Sequence, residues 1–71
     1  MMSDTLLLEI NGEPREVPGG LNVTGLLAHL GISSGRVAIE RNRDILPKSQ
    51  WDQTPVSAGD RFEIVHLVGG G

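Results

Sequence analysis

Helical periodicity occurs once in this sequence, and briefly. Val23, Leu26, Leu27 and Leu30 fall at i, i+3, i+4 and i+7, which lines up one apolar stripe on a helix of about eight residues. Asn22 stands where an N-cap side chain would accept from the first free N–H groups, and Gly31 where a helix ends in a left-handed residue. With 71 residues and one such segment, repeated parallel crossover units are excluded, because each needs roughly 30 residues. A mixed sheet wrapped around a single helix fits instead, in a domain small enough to bury only about 60% of its unfolded surface.

The flanking segments supply that sheet. Thr5 to Ile10 alternates, with Leu6, Leu8 and Ile10 on one face and Leu7 and Glu9 on the other, and Asn11-Gly12 is a strong hairpin signal. Glu13 to Val17 is predicted to return antiparallel, with Pro14 near the turn or on an unpaired edge because it has no N–H to donate. Pro18-Gly19-Gly20 ends that arm and frees the chain to cross over. Beyond the helix, Arg36 to Arg41 sets Val37 and Ile39 opposite Ala38 and Glu40, and Asn42-Arg43-Asp44 turns into a brief strand at Ile45-Leu46. Pro47 to Trp51 reads as a loop with one helical turn, and Trp51 as a core plug or a lid over the second end of the helix. Gly59-Asp60 leads into a last strand from Arg61 to Val68, with Phe62 and Ile64 inward and Glu63, Val65 and Leu67 outward.

Two hairpins joined by a right-handed crossover predict an α+β fold of the β-grasp layout, with four to five strands around one main helix and the first and last strands as central parallel neighbours. Residues 1–68 are expected to form that domain and residues 69–71 a flexible glycine tail.

Composition excludes several kinds of function. A net charge of −3 argues against a nucleic-acid partner, which needs a concentrated positive face, and Arg36, Arg41 and Arg43 are interleaved with Glu40 and Asp44 as on a solvated edge. The absence of cysteine rules out a disulfide, a thiol nucleophile, a cysteine-ligated metal and a persulfide carried on this chain. His29 and His66 have no two-histidine metal spacing and read as surface residues, and the carboxylates are scattered over turns and outer faces. No catalytic residue, metal site or bound cofactor is expected, so the chain is read as a non-enzyme. The opening Met1 to Thr5 lacks the features of a secretory signal, and no apolar run approaches membrane-spanning length. The cytoplasm is the expected location, with no membrane partner.

The sequence closes on Val68-Gly69-Gly70-Gly71. Composition alone leaves two readings of that tail open, a frayed end and a reactive arm. The second rests on what glycine lacks: without Cβ atoms, three residues can thread a slot too narrow for side chains and deliver the carboxylate of Gly71 into a partner's active site. That carboxylate is ionised at neutral pH and a poor electrophile, so it needs activation, for which acyl-adenylation by ATP in another protein is the route. The adenylated carbonyl is then open to an amine, or to a persulfide that leaves a thiocarboxylate.

Leu6-Leu7-Leu8-Glu9-Ile10-Asn11-Gly12-Glu13, Val23-Thr24-Gly25-Leu26-Leu27 and Val37-Ala38-Ile39-Glu40-Arg41-Asn42, together with the segments from Ile45 to Trp51 and from Gly59 to Gly71, resemble the ThiS sulfur carriers of thiamine biosynthesis. These are small ubiquitin-like β-grasp proteins. The resemblance implies that Gly71 is adenylated by a ThiF-like enzyme using MgATP and converted to a thiocarboxylate, with sulfur from a donor such as a cysteine desulfurase. A ThiG-like thiazole synthase would receive the sulfur. The family's diglycine falls on Gly70-Gly71, Gly69 lengthens the arm, and Arg43 occupies a turn where such proteins often have a small residue, a departure expected to matter little on a surface. Sibling carriers for molybdopterin, tRNA thiolation or cysteine synthesis share the tail chemistry, and a ubiquitin-like binding or conjugating module shares the fold. A docking face is expected at Leu7, Ala38, Val65 and Leu67, which inward packing of their neighbours leaves exposed.

Overall fold

The computed structural model describes residues 4–67. The expected tail residues Gly69, Gly70 and Gly71, and Val68 at the expected end of the last strand, lie outside the described residues. Strand β1 (Thr5–Ile10) and strand β2 (Glu13–Pro18) form the first hairpin, paired antiparallel from Thr5↔Pro18 to Ile10↔Glu13. Asn11 and Gly12 both take positive φ, 52° and 84°, the geometry of the two-residue hairpin turn whose twist matches that of its strands. β2 is an edge strand, so Pro14 and Pro18 deprive no neighbour of a donor and blunt the edge against further pairing.

Helix α1 (Val23–His29) begins where Asn22 accepts the Gly25 N–H at 2.7 Å and ends at the cap residue Leu30. Gly31, at φ 74°, donates to the Ala28 carbonyl (3.1 Å) and Ile32 donates to that of Leu27 (2.9 Å), the paired bonds of a left-handed helix stop. Strand β3 (Val37–Arg41) follows a single 3-10 turn, Ser34–Arg36, so Arg36 belongs to the turn and not to the strand expected to include it. Strands β4 (Asp44–Leu46) and β5 (Arg61–His66) complete a five-stranded sheet ordered β2-β1-β5-β3-β4. β1 and β5 are parallel neighbours at the centre and β3 runs antiparallel to β5, as a β-grasp sheet requires. β5 ends at His66 rather than at Val68, although the Leu67 N–H still reaches the Arg36 carbonyl at 2.8 Å.

The buried side chains come from the faces that alternation assigned. Leu8 and Ile10 of β1, Val37 and Ile39 of β3, and Phe62 and Ile64 of β5 meet Val23, Leu26 and Leu27 of the helix. Leu6 and Leu30, at the ends of their elements, are half-buried against this core. Trp51 is a core residue, 3% exposed, with its indole N–H on the Leu46 carbonyl at 3.0 Å. Its 3-10 helix (Lys48–Gln53) docks on the first turn of α1 and not on the second end: Thr24 Oγ1 donates to Asp52 Oδ1, and Asn22 Nδ2 to the Asp52 carbonyl.

The turn into β4 corrects one expectation. Asn42 and Arg43 sit at φ 51° and 75°, and a left-handed backbone at a residue with a Cβ costs about 1–2 kcal/mol. The departure at Arg43 therefore matters to the backbone even though its side chain is exposed. Arg43→Gly is expected to stabilise the domain by about 0.5–1 kcal/mol, after subtracting the greater freedom glycine gives the unfolded chain. A urea midpoint that falls, at unchanged slope, would contradict this.

Candidate functional site

The chain leaves its described fold along β5, so the surroundings of that strand define the site. Its start is tied down by Asp60, which is 6% exposed and is the one buried charged side chain among the described residues. The Asp60 carboxylate accepts from the Ser57 N–H at 2.9 Å and from Arg41 Nε at 3.1 Å, with Arg41 Nη2 and Asn42 Nδ2 more distant at 3.4 Å. Asn42 closes the other side, receiving the Arg61 N–H on Oδ1 (3.0 Å) and donating its own N–H to the Arg61 carbonyl (2.7 Å). A buried charge is tolerated only when its lone pairs are met in this way.

Further along, the β1 side of β5 is held by two kinds of bond. The Glu9 and Asn11 N–H groups donate to the Asp60 and Phe62 carbonyls, both at 2.9 Å. β1 then turns away, and the Asn11 side chain takes over: Oδ1 accepts the Ile64 N–H at 2.7 Å and Nδ2 donates to the Ile64 carbonyl at 3.2 Å. One side-chain amide thus reproduces the donor and acceptor of a peptide group.

On the face turned from the helix, Ala38 pairs directly with Val65, and Leu67 lies two residues further along the chain, just past the end of β5. Val65 and Leu67 are 56% and 53% exposed. Ile45 on β4, 78% exposed, is on the same face but pairs with Glu40, level with Glu63 and not with Val65; it was not foreseen, although Leu46 pointing inward puts its neighbour outward. Leu7 shares the face but not the location. Its carbonyl accepts from the Gly59 N–H, at the opposite end of β5, which places it six residues and roughly 20 Å from Val65 at about 3.3 Å per residue. The Glu9–Arg61 ion pair (3.1 Å) and the cross-strand pair Glu40↔Glu63 fill the space between. Ala38, Val65 and Leu67 therefore gather beside the point where β5 ends, Ile45 flanks the charged row on β4, and Leu7 stands apart beyond that charged band.

His29 and His66 are both exposed. Among the described residues no group of three or more His, Cys, Asp or Glu side chains is placed to hold a metal ion, and no helix is long and apolar enough to cross a membrane. The arrangement is that of a presenting surface, with a firmly anchored central strand leading to an apolar patch.

Comparison with known proteins gives consistent findings. The sequence model of the ThiS family matches residues 8–71. The crystal structure of a thiamine biosynthesis protein (ThiS) from Geobacter metallireducens superposes with a TM-score of 0.80 at 38% identity, covering 93% of this chain and all of that one. A protein named thiazole synthase from Paramagnetospirillum magneticum is 48% identical over 64 residues, 90% of this chain. The sulfur carrier protein ThiS of Bacillus subtilis is 37% identical over 49 residues, 69% of this chain and 74% of that one. The chain spans only 20% of the length of the thiazole synthases it matches.

Proposed function

Because this chain belongs to the ThiS family, we propose that it is a sulfur carrier protein of thiamine biosynthesis, a non-enzymatic substrate on which other enzymes act. Gly71 is the covalent site and Gly69 and Gly70 are its arm, following a β-grasp domain of residues 1–68. The Gly71 carboxylate attacks the α-phosphorus of ATP in a ThiF-like enzyme with Mg2+, releasing pyrophosphate and leaving an acyl-adenylate. A persulfide from a donor such as a cysteine desulfurase displaces AMP, and a thiol reductant cleaves the resulting acyl disulfide to the thiocarboxylate. A ThiG-like thiazole synthase then accepts the sulfur. The chain itself binds no cofactor, and an ATP-consuming partner fits a cytoplasmic location.

The observation that carries this reading is the family match through Gly71 on a chain without cysteine, which leaves the acyl group as the place to carry sulfur. The apolar patch of Ala38, Val65 and Leu67 is the docking surface for these enzymes, because an exposed apolar area next to the reacting arm gives a partner something to bury. A thiazole synthase as recipient is supported by proteins of that name carrying a segment similar to this chain. Leu7 is the least connected member of the face.

Incubation with the activating enzyme, MgATP and a persulfide donor is expected to give a product whose intact mass shows one oxygen exchanged for sulfur. Unchanged mass, or adducts on target lysines, would refute the carrier reading. In the same assay Val65→Glu is expected to lower the apparent affinity for the activating enzyme about tenfold, roughly the loss of one buried side chain at an interface. An unchanged affinity with the fold intact would remove the patch from the proposal.

A further inference from the structure

β5 is anchored unequally on its two sides. Toward β3 the ladder runs on past the strand's last residue, from Glu40↔Glu63 through Ala38↔Val65 to the bond from the Leu67 N–H to the Arg36 carbonyl. Toward β1 the backbone register holds only Glu9↔Arg61 and Ile10↔Phe62. The β1 chain then reverses at Asn11 and Gly12, and the last tie on that side is the pair of bonds between the Asn11 amide and Ile64. Alternation along the strand aims the backbone of His66 to this same side, where no β1 residue stands opposite it.

We propose that Asn11 is a positioning residue for the transfer reaction: its side chain sets the point at which β5 stops being held on both edges, and so fixes where the reacting arm departs. The inference rests on the carrier reading above. A backbone extension of β1 would hold Ile64 equally well, but it would carry paired chain alongside His66 and Leu67 and cover the edge that a partner needs to reach. The side-chain amide is an anchor one residue long. It satisfies Ile64 and, among the described residues, leaves the next ones paired with β3 alone. The turn makes this possible, because positive φ at Asn11 directs its amide toward β5 while the main chain leaves for β2.

Losing the clasp frees Ile64 and His66 on the β1 side, so that they must be ordered again when a partner takes hold of the end of β5, a cost met on binding and not in the chemical step. Asn11→Gly removes both bonds while keeping a residue at ease with positive φ; Asn11→Asp keeps the acceptor for the Ile64 N–H and loses the donor. Val56→Ala, in the core and outside β5, serves as a control destabilised without removing either bond of the clasp. All are assayed with the purified activating enzyme and MgATP, at a temperature where circular dichroism shows each variant folded. Amide hydrogen exchange at Ile64 is followed in parallel.

For Asn11→Gly the expected result is at least tenfold faster exchange at Ile64 and a KM for the carrier raised five- to thirtyfold, with kcat changed less than twofold. Asn11→Asp should fall between it and the unmodified chain in both measures, and Val56→Ala should leave KM unchanged. Unaltered exchange at Ile64 would overturn the clasp. Faster exchange with an unaltered KM, or an equal rise in KM for Val56→Ala, would overturn the positioning role. If Asn11→Gly does not fold, Asn11→Asp decides by the same two measures. Failure of the unmodified chain to be activated would instead refute the carrier reading and this inference with it.

Discussion

One alanine appended after Gly71 is expected to abolish activation by the adenylating enzyme proposed above and to leave the melting temperature within about 1 °C of the unmodified chain. The reasoning is geometric. The appended residue moves the free carboxylate by about 3.5 Å along an extended chain, and misplacing a reacting atom by even 1 Å can cost about a hundredfold in rate. It also brings a Cβ into a path that glycine leaves clear. The fold should not respond, because the core lies among residues of the strands, the helix and Trp51 and Val56, all before Leu67. The measurement is pyrophosphate release with MgATP at matched protein concentrations, alongside thermal unfolding. Normal activation of the extended chain would show that the reaction does not use the Gly71 carboxylate; a large drop in melting temperature would show that the arm is part of the fold.

Asp60→Ala is expected to have the opposite signature, a large loss of stability from a site with no chemistry of its own. The substitution strands the Ser57 N–H, releases Arg41 and leaves Asn42 Nδ2 without its acceptor, at a position 6% exposed. An unsatisfied buried donor costs about 1–3 kcal/mol, and losing the charged bonds adds to it. Solvent limits the total, because the Arg41 side chain is 30% exposed and Asn42 and Ser57 are exposed residues whose donors can turn to water. About 3 kcal/mol is the expected loss, against roughly 4–10 kcal/mol for a domain of this size, and at about 4–8 °C per kcal/mol the melting temperature should fall by roughly 15 °C. Asp60→Asn, which keeps the shape and one acceptor oxygen, should lose less than half as much. A fall below about 4 °C for Asp60→Ala would mean that the cluster does not hold the start of β5.

The two variants probe different layers of legibility. Alternation and helical spacing depend on near neighbours in the chain, which is why the inward faces of β1, β3 and β5, the stripe on α1 and the hairpin turn at Asn11-Gly12 were all readable. Cap chemistry at Asn22 and Gly31 was readable for the same reason. End effects were less so. Arg36 fits the alternation of β3 yet falls in a 3-10 turn, and the segment carrying Trp51 packs on the first turn of the helix because Asp52 finds its partners at Asn22 and Thr24. Local spacing carries no record of such a pairing between residues 28 and 30 apart.

The candidate site divides in the same way. Which residues face outward on each strand follows from a period of two, so Ala38, Val65 and Leu67 could be named, and the same logic would have found Ile45. Whether outward residues are neighbours depends on register, and register between strands far apart in sequence is decided by packing. The parallel pairing of β1 with β5 brings Glu9 to Arg61, and that alignment strands Leu7 beyond a charged band while gathering Ala38, Val65 and Leu67 at the strand's end.

From the sequence alone come the element types, the inward faces, the turn at Asn11-Gly12, the lack of any thiol and the glycine run that ends in Gly71. Those follow from backbone sterics, short-range periodicity and side-chain chemistry. Tertiary structure alone decided that Asp60 is the buried charge at the start of β5, that the expected apolar face is one patch and one isolated leucine, and that the amide of Asn11 closes on Ile64 across 53 positions of sequence. Each of these is a contact between distant segments, and its existence depends on how the strands align once the helix has been covered.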